Sequence, residues 1–191
     1  MTADALAGLP ATFRYSEAAE AIGESRLRAL AAKGVIVPMA RGLYRKSDWA
    51  GDEDLIEIAA KSKRATLCLR SALARHDLID DIPATIDVAM PRGAWQPNLR
   101  PPIRWHHFDT ATFDLGRDLL DVGAGRTIGL YSPERSILDA YRLRHREGED
   151  MAHEALKRWL KAGGQPSQLL KLARAFPRVL PVLRSTLEVL L

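Results

Sequence analysis

Apolar residues recur along this chain at two spacings, and the change of spacing marks out its elements. Ala18, Ala19 and Ile22 fall on one side of a short helix read over Glu17–Ile22, with Ser16 as its cap. Gly23 supplies a sharp turn, and a second helix runs from about Glu24 to Lys33, ending at Gly34. Its inward stripe is Leu27, Leu30 and Ala31. Val35–Val37 reads as a strand, Pro38–Gly42 as a turn and Leu43–Arg45 as the returning strand. A further helix around Asp4–Leu9, kept short by Pro10, completes a three-helix core. Two helices about a glycine turn, followed by a hairpin, make a winged helix-turn-helix, assigned to residues 1–49.

Residues 50–191 read as a second, α+β domain, a small β-sheet packed with several α-helices. Asp52-Glu53-Asp54 opens a helix at its positive end, and a second helix covers about Leu69–Leu78. Strands are expected at Thr85–Met90, Ile103–Phe108 and Arg126–Leu130, joined by loops rich in Pro, Gly and Asp. Ser132-Pro133-Glu134 combines a capping serine, proline at the first helical position and an acidic first turn. Helices from Asp150, over Pro166–Phe176 and over Arg178–Leu191 follow.

Charge sharpens the picture of the first module. The whole 191-residue chain carries +4, but Glu24 to Lys46 holds six basic residues against one acidic. Gly51–Asp81 leans the other way, with seven acidic against five basic. On the second helix Ser25, Ala29 and Ala32 form the centre of the outward face, rimmed by Arg26, Arg28 and Lys33. Small residues there let a helix sit deep in a major groove, and arginines reach guanine edges or phosphates. Arg41 falls at the hairpin tip, with Arg45 and Lys46 on the return, placed for backbone or minor-groove contact. The DNA-binding set is therefore Ser25, Arg26, Arg28, Ala29, Lys33, Arg41, Arg45 and Lys46. The alternative is a winged module that docks a protein, the molecule serving as an adaptor or direct inhibitor.

Other chemistry is sparse. The single cysteine, Cys68, cannot form an internal disulfide, which fits a reducing cytoplasm. No signal peptide or stretch of about 20 apolar residues is evident, so no membrane partner is expected. Glycine-rich nucleotide loops and Cys- or His-based metal spacings are missing, and no cofactor or metal is expected. His106-His107 lie side by side in a strand and point to opposite faces. Asp87 is the residue type that opens a metal-dependent nuclease site, yet no later strand carries the Glu-x-Lys partner. Arg135 and Asp139 are spaced for a local ion pair. The chain reads as a non-enzyme.

Three segments carry a resemblance. "LRALAAKGVIVPMARGLYRK", "LRSALARHDLIDDIPATIDVAMPRG" and "GLYSPERSILDAYR" occur in the order and spacing of the AbiEi-type antitoxins of type IV toxin–antitoxin and abortive-infection loci. The chain resembles that family over nearly its whole length, with Ser136 where threonine is commoner. The resemblance implies a cytoplasmic, nucleoid-associated autorepressor that binds inverted repeats in its own promoter. It further implies a C-terminal domain that counters a nucleotidyltransferase toxin without a stable complex. The antitoxic residues are not assigned; Lys157, Arg158 and Lys161 are candidates for extra contacts, with a solvated face as their plainer role.

Overall fold

The protein has an α+β fold, seen in a computed structural model that describes Leu6, Gly8, Leu9 and residues 12–40, 42–47, 52–81, 83–123 and 125–190. It divides into two compact units, Met1–Lys63 with Asp121–Ile128, and Arg64–Leu120 with Gly129–Leu191. Among the described residues no helix is long and apolar enough to cross a membrane.

The first unit begins β1 (Thr12–Arg14), α1 (Tyr15–Ile22), α2 (Glu24–Ala32), β2 (Ile36–Ala40), β3 (Leu43–Lys46) and α3 (Glu53–Lys61). Its sheet runs β1-β3-β2, all antiparallel, so the wing hairpin gains a third strand from just before α1. Phe13, Ala18, Leu27, Leu30 and Ile36 form the core with Leu6 and Leu9. The rest of the helix expected at Asp4–Leu9 lies mostly outside the described residues.

Three local readings are corrected. The first helix starts at Tyr15 rather than Glu17, so Ser16 lies inside it and caps nothing. Glu17 instead reaches back to accept the Arg14 N–H at 3.0 Å. Ala31 is exposed, because α2 buries only Leu27 and Leu30 and Ala31 projects about 70° from the centre of that stripe. Finally, β2 continues through Pro38 to Ala40 where a turn was expected. β2 is an edge strand with a register shift at Pro38–Ala40, and both circumstances tolerate a residue without an N–H.

Next along the chain come β4 (Thr66–Leu67), α4 (Leu69–Arg75), β5 (Ile86–Pro91), β6 (Ile103–Phe108), β7 (Arg117–Gly123), β8 (Arg126–Tyr131) and α5 (Pro133–Arg142), all in the second unit except Asp121–Gly123 of β7 and Arg126–Ile128 of β8, which fall in the first. Then come α6 (Arg144–Glu147), α7 (Glu149–Lys161), α8 (Pro166–Ala173) and α9 (Leu180–Leu190). The sheet order is β6-β5-β4-β8-β7, with β5 parallel to β6, β4 antiparallel to β5 and β4 parallel to β8. Thr66 stands opposite Gly129 in β8, and Arg117 Nε donates to Thr66 Oγ1 at 2.7 Å. A methyl group on Gly129 would overlap that hydroxyl and lie 2.6 Å from Arg117 Nε, so any larger residue there would have to displace the Thr66–Arg117 bond. Leu73, Ile137, Leu138, Tyr141, Leu156 and Trp159 anchor the helical layer, and Cys68, Phe108, Phe113 and Tyr131 form a second cluster.

Helix α5 occupies the centre of this layer, buried from Arg135 to Tyr141. Ser132 caps it, accepting the Arg135 N–H at 3.2 Å. Arg135 is wholly buried: Nε meets Asp139 Oδ2 at 2.9 Å, and Nη1 donates to the carbonyls of Thr112 (2.7 Å) and Leu115 (2.6 Å). Its guanidinium lies 4.2 Å from the Tyr131 ring centre and 4.8 Å from that of Phe176. Burial pushes the Asp139 carboxyl above its ordinary value, against the pull of Arg135 and Arg142.

A second polar network sits where β5 and β6 pair. Asp87 accepts from His106 Nε2 at 2.8 Å and from Arg104 Nε at 2.6 Å and Nη2 at 3.1 Å. Arg104 Nη2 also meets Glu147 Oε2 at 2.8 Å, and Ser71 Oγ accepts the Asp87 N–H at 2.8 Å. Burial works to raise the Asp87 carboxyl, but His106 and Arg104 outweigh it and hold it below its usual value.

Two outcomes follow. Replacing Arg135 with Ala leaves Asp139 with Arg142 alone and strands two loop carbonyls, and should cost about 3 kcal/mol in urea unfolding; a loss below 1 kcal/mol would show that the pair is dispensable. Asp87 titrates lower in the folded chain than in the unfolded one, so its stabilising contribution is complete above the ordinary carboxylate value and lost as pH falls below about 4. Urea midpoints measured from pH 6 to pH 3 should therefore fall less steeply for Asp87→Asn than for the native chain.

Candidate nucleic-acid interface

Gly23 sets the geometry of this face. At φ +84° it is a conformation that side chains resist, and a single residue there ends α1 and starts α2. Helix α2 lies against α1 by Leu27 and Leu30 and turns every other position outward. Ser25, Arg26, Arg28, Ala29, Ala32 and Lys33 are all exposed. Small side chains occupy the middle and cations the edges, so a phosphate-lined groove could approach the helix closely.

The cations are not equivalent. Arg28 Nη2 meets Glu24 Oε1 at 2.7 Å, and the Tyr15 hydroxyl donates to the same oxygen at 3.0 Å. These bonds, from Tyr15 first and then Arg28, hold the Glu24 carboxyl below its ordinary value. Arg26 and Lys33 have no ion pair among the described residues. Arg45 on β3 is half-buried, pairs with Glu53 of α3 and donates to the carbonyls of Lys46 (3.2 Å) and Ser47 (3.3 Å). It braces the return strand. Lys46 ends that strand, half-buried. Arg41 lies outside the described residues.

Sequence periodicity located the outward face of α2 but missed the groups that restrain it. The Glu24–Arg28 pair was legible in its four-residue spacing. Tyr15 and Glu53 come from other elements, and no local signal names them. Strand β1, three residues long, was also missed; it pairs with β3, and just after it the Tyr15 N–H donates to the Gly42 carbonyl at 2.9 Å, which ties the base of α1 to the wing.

The other singled-out residues fall in the second unit. His106 is buried on Asp87 and His107 is exposed, on opposite faces of β6. His76 Nε2 lies 2.8 Å from the Tyr131 carbonyl, and His153 meets the Tyr141 ring edge-on at 5.5 Å. Arg158 is held by Asp80 and by Glu154 at 2.6 Å, while Lys157 and Lys161 are exposed.

No family model matches the chain, and no curated protein matches it. Among solved structures it is similar to the RV2827C protein from Mycobacterium tuberculosis, with a TM-score of 0.54 and 16% identity, over 90% of this chain and 78% of that one. At that identity the likeness is one of fold.

Proposed function

We propose that the chain binds duplex DNA through α2 and its wing as a sequence-specific repressor, and serves as the antitoxin of a type IV toxin–antitoxin operon. The observation that carries the DNA half is the exposed face of α2, where Ser25, Ala29 and Ala32 lie between Arg26, Arg28 and Lys33 on a helix anchored by two buried leucines. Alanine fits a thymine methyl, and a guanidinium fits either a guanine edge or a phosphate. The exposed Glu24–Arg28 pair is weak in water, so a phosphate can take Glu24's place. Lys46 supplies charge on the wing, with Arg45 holding the strand that presents it. The antitoxin half rests on the three resembling segments: autorepression at inverted repeats, and relief of a nucleotidyltransferase toxin without a stable complex.

One observation favours the adaptor reading. Arg28 and Arg45 are already engaged within the chain, which lowers the charge free for phosphate. Stable co-purification with the neighbouring gene product, together with no shift of promoter DNA, would decide for it.

Reversing Arg26 and Arg28 to Glu should abolish the gel shift on the upstream region while leaving the circular dichroism unchanged. Undiminished affinity at physiological salt would overturn the DNA reading. With roughly four phosphate contacts per protomer, log affinity should fall against log salt with a slope near −4, and Lys46→Ala should reduce that slope by about 1.

A further inference from the structure

The second unit carries a cationic groove that the DNA reading does not use. Arg92, His107, Arg142 and Arg146 converge on a cavity of about 570 Å³, with Trp105 and Phe108 in its wall. A cavity of about 560 Å³ shares Arg142 and Asp109 with it and adds Arg144 and Arg178. Across the two, five arginines face one carboxylate, Asp109, whose Oδ1 already accepts the Ala111 N–H at 2.9 Å.

Arg142 is set in place before any ligand arrives. Its guanidinium lies 4.4 Å from the Phe108 ring centre and 5.3 Å from that of Phe176, and Nη2 is 3.2 Å from Asp139 Oδ1. Asp139 also serves the buried Arg135, so one carboxylate answers two guanidinium groups and a positive charge is left over at the wall. Arg144 is engaged loosely by Glu149 at 3.8 Å. Arg92, Arg146 and Arg178 are exposed and have no ion pair among the described residues. A held guanidinium flanked by exposed ones is suited to a chain of phosphates, because each planar fork can grip two oxygens. Trp105, partly exposed beside them, offers a ring on which a base can stack. The volume lies in the range of small-ligand sites.

We propose that this groove binds a nucleoside triphosphate, its phosphates on Arg92, Arg142 and Arg146 and its base against Trp105. Inorganic tripolyphosphate offers the same phosphate chemistry without the base, which makes it the control. Calorimetric titration of the full chain with ATP, GTP and tripolyphosphate at low salt should give saturable one-to-one binding, at least tenfold tighter for the nucleotides. Arg92→Glu with Arg146→Glu, both at exposed positions, should weaken every ligand at least tenfold; Arg146→Gln alone should give a smaller loss. Trp105→Ala should remove the nucleotides' advantage while leaving tripolyphosphate binding unchanged. Equal affinity for tripolyphosphate and nucleotides would overturn the base contact. Absence of saturable binding, or binding that survives the charge reversal, would overturn the site. Promoter affinity lost in the charge-reversed chain without any nucleotide signal would assign the groove to duplex DNA and overturn the proposal. The α2 variants should bind nucleotides normally, which separates this result from the fate of the DNA reading.

Discussion

Arg135 is a guanidinium at full burial, and such a group is tolerable there only when its surroundings replace the water it has lost. Asp139 supplies the counter-charge from one turn along α5, the carbonyls of Thr112 and Leu115 accept from Nη1, and the rings of Tyr131 and Phe176 cover its faces. Apart from Asp139 on α5 itself, the partners come from three other pieces of the second unit: Thr112 and Leu115 from the loop between β6 and β7, Tyr131 from the end of β8, and Phe176 from the segment after α8. The bonds to Nε and Nη1 of one guanidinium therefore tie their positions together, while the buried Nη2 has no hydrogen-bond partner among the described residues. Tyr131 repeats the fastening through its hydroxyl, which donates to the Phe113 carbonyl at 2.9 Å in the same loop. Packing alone would let a loop slide over an apolar surface. Directed bonds to a buried charge do not.

Much of the fold was legible wherever a local chemical signal coincided with an apolar period. Asp52 and Ser132 cap α3 and α5 as their sequences suggest, with bonds to Leu55 N (3.1 Å) and Arg135 N (3.2 Å). Strands β5, β6 and β8 follow from runs of β-favouring residues between breakers. Strands β1 and β4, with three and two residues, are too short to display a period, and only their partners define them. β7 escaped because its sequence, RDLLDVG, mixes aspartates into an edge strand and alternates poorly. The ion pair of Arg135 was readable from its spacing, but its aromatic enclosure was not, since Tyr131 and Phe176 are brought to it only by tertiary structure.

The same limit governs the candidate interface. A helical projection finds which side chains of α2 point outward, because that depends on 3.6 residues per turn and two buried leucines. It does not find which cations are already occupied. Arg28 and Arg45 carry equal formal charge to Arg26, yet each is restrained by a carboxylate, one from its own helix and one from α3. Counting charges along the sequence therefore overstates what is free to meet phosphate. In the second unit the error runs the other way. Arginines scattered between positions 92 and 178 look like a solvated surface until the fold gathers them around two cavities that share Arg142.

Helix α2 commits only Leu27 and Leu30 of its nine residues to the core. The remaining seven are released from packing, so natural variation can rewrite them without threatening the stability of the module. Gly23 and the two leucines hold the frame constant while the outward text changes. Such a module can change its outward face while keeping its scaffold, and related chains would be expected to share the frame while diverging most at Ser25, Ala29 and Ala32.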